Sequence, residues 1–140
     1  FLYLFKNGYK VSPVKNVVHC WRDYACRNSR QDERYSQKAF LDFKVAQYVD
    51  LLPAKSEVVL WGAGPKGKHI AKELIRKDVV FKWVTENPNK IGKGVYGVVL
   101  KDPSQIKKGD EVVVAVSNKD EQASVFFEIK KAQAKPVPFC

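Results

Sequence analysis

Methionine is missing from this chain altogether, initiator included, so we expect a piece of a longer protein. Cysteine is sparse. Cys20, Cys26 and Cys140 make an odd count without paired spacing, which speaks against a disulfide framework and for a reducing, cytoplasmic compartment. Inert, buried thiols are expected. His19 stands beside Cys20, but neither C-x-x-C nor H-x₃-H spacing occurs, so no zinc site is expected. No apolar run approaches the ~20 residues that cross a bilayer. The opening FLYLFKNGYK has no basic lead and breaks after five apolar residues, so it does not read as a signal peptide. There is also no Lys/Arg block of the kind that marks a nucleic-acid tail, no internal repeat and no low-complexity tract.

What is present is the composition of a globular chain, 45% hydrophobic and 12% aromatic, with enough apolar surface for a core. Its net charge is 25 − 15 = +10. A field of that sign draws phosphate-bearing partners of any kind: nucleotides, nucleotide sugars, nucleic acid or an anionic membrane face.

The pattern changes at LLPAKSE, residues 51–57, where Pro53 and polar neighbours separate two regions. Residues 1–52 read as a helix end closed by Gly8 in a left-handed cap, a hairpin from YKVS and NVVHCW, a basic loop and a helix. That helix is SQKAFLDFKVAQYVDLL, N-capped by Ser36, with Phe40, Leu41, Val45, Tyr48 and Val49 on one side. Residues 53–140 alternate strand and helix. EVVLW is followed by a helix with Ile70, Ala71, Leu74 and Ile75 as its buried stripe. DVVFKWVTE, GVYGVVL, the short turn DPSQIKK, EVVVAVS, the helix KDEQASVFFEIKKAQ and an edge strand KPVPFC complete the series. This order predicts an α/β fold, a Rossmann-like three-layer sandwich with a parallel sheet of order 3-2-1-4-5 and EVVLW at its centre.

The glycine spacing G-x-G-x-x-G falls at Gly62, Gly64 and Gly67, after the strand VVLW and at the opening of a helix. In a dinucleotide fold the first glycine permits the tight turn and the second admits backbone to a pyrophosphate. The third lets helix pack on strand, and the helix N-terminus offers N–H groups to the phosphate. Glu86 ends the next strand, where a carboxylate can accept ribose hydroxyls and favours a free diol over a 2′-phosphate. Pro65 removes one donor from the turn, while Lys66 and Lys68 add charge. The expected nucleotide site therefore comprises Gly62, Gly64, Lys66, Gly67, Lys68, Glu86 and Asn87. Ser117 and Asn118, beyond the strand VVVAV, complete it. The other reading keeps the glycines for helix–strand packing around a pocket that binds nothing.

WGAGPKGKHIAKELIRK, FKWVTENPNKIGKGVYGVV and VVVAVS, taken together, resemble the Rossmann-like domain at the C-terminus of certain bacterial family-2 glycosyltransferases. GYKVSPVKNVVHCWRDYACRNSRQDERYSQKAFLDFKVAQYV is similar to the segment that closes the GT-A domain in those proteins, through Trp21, Arg22, Arg27, Ser29, Arg30, Arg34, Tyr35 and Ser36. The terminal PFC departs from the family's Phe-x-Cys ending. The resemblance implies a parent enzyme that transfers a sugar from a nucleotide donor, of UDP-sugar type, to a glycan for polysaccharide biosynthesis. Its divalent metal and catalytic base would lie in the upstream GT-A domain, which would be this chain's partner. His19, Arg27, Arg30 and Arg34 would then face the donor's metal and diphosphate, where negative charge develops as the sugar leaves. The bland reading of the same residues is a solvated loop. Two other functions remain open: a non-catalytic interaction module that docks the transferase to partners, a second copy of the chain among them, or to the anionic lipid of a membrane, and an NAD-binding oxidoreductase domain. For the latter, no Tyr-x-x-x-Lys and no late-strand histidine offers a hydride-transfer partner.

Overall fold

A computed structural model of the chain describes residues 7–10, 12, 14–17, 19–20, 22, 24, 26–27, 31–33, 36–52 and 57–139. Internal contacts divide the chain into two units, Phe1–Asp32 and Glu33–Cys140. In the first, every described residue is exposed except the half-buried Arg27 and Asp32, and none lies in a strand. The expected hairpin is therefore not seen in its described residues. Cys20 and Cys26 are exposed, not buried as expected, because no described residue of this unit is fully buried, and Cys140 lies outside the described residues. Gly8 takes the left-handed φ of +75° expected of it. Trp21, Arg30 and Arg34 lie outside the described residues.

The second unit is a mixed sheet of six strands with three helices. Helix α1 is Gln37–Leu51, begun by Ser36, whose Oγ accepts the Ala39 N–H at 3.1 Å. Strand β1 (Val58–Trp61) leads into α2 (Pro65–Arg76), then β2 (Phe81–Val84). Next come β3 (Gly94–Val95) and β4 (Val98–Lys101), a 3₁₀ turn Pro103–Gln105, β5 (Glu111–Val114), α3 (Lys119–Lys131) and β6 (Lys135–Pro138). The spatial order is β3-β4-β2-β1-β5-β6. Strands β4, β2, β1, β5 and β6 are mutually parallel where they pair, and β3 runs antiparallel to β4.

This differs from the five-stranded all-parallel order expected. GVYGVVL is not one strand but two, folded back at Tyr96 and Gly97, whose φ values of +54° and +80° are the positive pair that a two-residue hairpin turn requires. EVVLW is central, and it pairs in parallel with DVVFKWV as expected.

VVLW is apolar at every position because both of its faces are covered. Val58 and Leu60 join Leu41 and Val45 of α1, Ile70, Ala71 and Leu74 of α2, and Trp83 in one core. Val59 and Trp61 join Val84, Val112, Val114 and, from α3, Val125 and Ile129 on the opposite face. Each fully buried Val, Leu or Ile among them contributes roughly 1.5–3 kcal/mol. Helix α1 thus belongs by its contacts to the sheet, although the sequence break at 51–57 pointed to a separation there. Phe40 and Ile75, expected in their helices' buried stripes, stand exposed. Among the described residues no helix is long and apolar enough to cross a membrane.

Candidate functional site

Trp61 ends β1, and the chain turns sharply at Gly62, whose φ of +113° suits glycine and few other residues. The turn is held by its own backbone and by the neighbouring strand. Gly62 N–H donates to the Val84 carbonyl at 3.0 Å, and the Gly62 carbonyl accepts Trp83 Nε1–H at 2.9 Å. One residue on, the Ala63 carbonyl accepts a hydrogen bond from Lys90 Nζ at 3.1 Å. Helix α2 then starts at once, with Gly64 as N-cap and Pro65 in its first turn.

The three glycines have three different reasons to be glycine. Gly62 needs its positive φ. Gly67 is buried, and a Cβ there would sit 2.0 Å from the Gly62 carbonyl oxygen, so it exists for the close packing of α2 on the β1 turn. Gly64 has neither reason. Its φ of −81° and ψ of −174° are extended backbone that any residue adopts, and a Cβ on it would meet no atom within 4 Å.

The N-terminus of α2 is also the one bare start among the described helices. Ser36 caps α1, Asn118 caps α3 through its Oδ1 and the Asp120 N–H at 2.9 Å, and Asp102 caps the 3₁₀ turn. No side chain caps α2, and its first turn carries no acidic residue. Backbone N–H groups and the positive end of the helix dipole are left there for an anion.

A cleft of about 860 Å³ opens over this turn at the carboxyl ends of β1, β2 and β5. Of the residues expected from sequence, Gly62, Gly64, Lys66, Glu86, Asn87, Ser117 and Asn118 all line it. Gly67 and Lys68 do not. Gly67 is covered by its packing role. Lys68 lies two residues beyond Lys66, about 200° further round a helix of 3.6 residues per turn, and points to solvent. Asn87 and Asn118 are engaged in local turns, Asn87 Oδ1 accepting the Asn89 N–H at 3.0 Å and Asn118 serving as the cap already described. They shape the rim.

Lining residues that were not anticipated include Gln37 at the start of α1, Lys90 from the turn after β2, and Glu121 in the first turn of α3. The cleft therefore carries two ammonium groups, half-buried Lys66 and Lys90, and two exposed carboxylates, Glu86 and Glu121. Lys90 is fastened to the glycine turn by its bond to Ala63. A fixed cation beside a bare helix start suits a diphosphate, and the two carboxylates suit hydroxyl donors.

His19 and Arg27, the other residues implied by the resemblance, belong to the first unit; Arg30 and Arg34 lie outside the described residues. Comparisons of the chain with protein-family models, with curated proteins and with solved structures find no match in any of the three.

Proposed function

We propose that the cleft, set in a Rossmann-like unit, binds a nucleotide or nucleotide sugar by its diphosphate. In this reading the chain is the C-terminal part of a glycosyltransferase, whose upstream GT-A domain performs the sugar transfer. Gly64 carries the binding half of the reading. Neither backbone conformation nor packing within the protein asks for glycine at that position, whereas a pyrophosphate lying against the backbone does.

Around that contact the remaining groups take consistent roles. The Lys66 and Gly67 N–H groups point along the helix axis toward the phosphates, and Lys66 and Lys90 neutralise them. Glu86 accepts the ribose hydroxyls, and Glu121, on the far side, accepts hydroxyls of an attached sugar. In this reading the cleft binds and positions its ligand. The transferase half rests on the resemblance of the segments quoted above and on their order along the chain.

Titration of the full chain with ADP, UDP, a UDP-sugar and NAD, followed by amide ¹⁵N–¹H spectra, tests the binding half. Shifts at Gly64, Lys66, Gly67 and Asn87, with Gly8 unmoved, are expected. An unchanged spectrum at millimolar nucleotide contradicts it. For the transferase half, the reading frame upstream of Phe1 should encode a GT-A domain with Asp-x-Asp.

A further inference from the structure

A second cavity, of about 520 Å³, lies on the α3 face of the sheet between the C-terminal half of α3 and residues 102–106. It meets the first cleft at two shared residues, Trp61 and Glu86. Both volumes fall within the ~300–1,000 Å³ usual for ligand sites. We infer that this second cavity receives the base of the nucleotide, and that it selects bases bearing an exocyclic amino group over uracil.

The inference rests on the nucleotide reading of the first cleft and extends it. Glu86 is the pivot. A ribose bound by that carboxylate, with its 5′-diphosphate at the start of α2, has its base directed away from the phosphates, and the second cavity is the space on that side of Glu86. Its walls have the composition a flat heterocycle needs. Half-buried Pro103, Ile106 and Ala132 supply apolar surface, with the buried Trp61 at the floor. Polar groups stand at the rim.

The rim groups decide which base fits. Glu86, Asp102 and Glu128 are hydrogen-bond acceptors. Asp102 is held ionised, because the Ser104 backbone N–H donates to its Oδ1 at 2.8 Å and lowers its pKa. Against three carboxylates stand the Ser104 hydroxyl and the Lys131 ammonium, the latter drawn to Glu128 at 3.8 Å. Adenine, guanine and cytosine bring N–H₂ donors to such a rim. Uracil brings two carbonyl oxygens flanking a single N–H, and a carbonyl facing a carboxylate leaves both acceptors unpaired, which costs binding. A purine also covers more of the apolar wall than a pyrimidine does.

Calorimetric titration of the full chain with ADP, GDP, CDP, UDP and inorganic pyrophosphate separates the two readings. We expect ADP and GDP to bind at least about fivefold more tightly than UDP, CDP to fall between, and pyrophosphate to bind most weakly. Ser104→Trp, at an exposed position that lines only the second cavity, should reduce every nucleotide to the affinity of pyrophosphate. Asp102→Asn should narrow the ADP-to-UDP ratio. UDP binding as tightly as ADP and GDP, or a base preference that survives Ser104→Trp, overturns the base site while leaving the diphosphate site standing. Failure of pyrophosphate and every nucleotide to bind overturns both.

Discussion

Gly67 stands so near Gly62 that a Cβ on the former would lie 2.0 Å from the carbonyl oxygen of the latter and 2.8 Å from its carbonyl carbon. The obstacle is backbone on both sides, so no rotamer change relieves it. Gly67→Ala must lift α2 from the β1 turn and disturb the Trp83 Nε1–H bond to the same carbonyl. A loss of about 2–3 kcal/mol follows from overpacking of this kind. Urea unfolding followed by circular dichroism measures it. A variant as stable as the parent would mean that the close approach of helix and turn is misplaced.

Helices α2 and α3 end in the same way, and both endings are strained. The Asp78 N–H donates to Ile75 O and the Val79 N–H to Leu74 O; the Gln133 N–H donates to Lys130 O and the Ala134 N–H to Ile129 O. These are Schellman closures, and the residue at the left-handed position, φ +54° at Asp78 and +55° at Gln133, is not glycine in either. A left-handed L-residue costs roughly 1–2 kcal/mol, part of which glycine returns to the unfolded chain as entropy. Asp78→Gly and Gln133→Gly should therefore each stabilise the protein by about 0.5–1 kcal/mol, additively, since the sites share no partner. Thermal melts of the single and double variants test this, and a destabilised double variant contradicts it.

Tyr48 ties α1 to the start of β5. Its hydroxyl donates to Glu111 Oε2 at 3.1 Å, and its ring meets Phe139 edge-on at a centroid distance of 5.5 Å. Burial, followed by the charge and hydrogen bond of Glu111, raises the phenol's pKa well above its ordinary value of 10.0. A group whose pKa is raised on folding contributes stability that is complete below the unfolded pKa and is lost as pH rises past it. The parent should therefore lose stability above pH 10 more steeply than Tyr48→Phe. At neutral pH the variant should be about 1 kcal/mol less stable. Urea midpoints between pH 7 and 11 give the comparison, and parallel curves would remove Tyr48 from the alkaline transition.

Much of the sheet was legible because its central strands, β1 and β5, are buried on both faces and so read as the unbroken apolar runs VVLW and VVVAV, alternating with helices. The hairpin at β3 and β4 was not. Its turn uses Tyr96 where sequence rules look for asparagine or glycine, and what keeps tyrosine there is tertiary. The ring stacks on Trp83 at 6.5 Å and 19°, with Lys72 Nζ 5.0 Å from its centroid on α2. The same limit applied to the cleft. Gly62, Gly64 and Glu86 carry a local spacing, whereas Gln37, Lys90 and Glu121 reach the site from elements far apart in sequence, and no pattern along the chain joins them. Lys68 is adjacent to the site in sequence only, and helical rotation carries it away.

The central claim is that Gly64 is glycine for a ligand's sake, and one pair of titrations addresses it: pyrophosphate and ADP added to the parent and to Gly64→Ser in a calorimeter. Serine at this N-cap should hold the bare start of α2 as well as glycine does or better, by a few tenths of a kcal/mol, because its hydroxyl can accept a first-turn N–H. Its Cβ enters empty space within the protein, so folding should be unharmed. That hydroxyl would occupy the donors and the room that the diphosphate uses. The account predicts a variant at least as stable as the parent, with affinity for both ligands reduced tenfold or more. Undiminished binding by Gly64→Ser, or no binding by the parent at millimolar ligand, would contradict it.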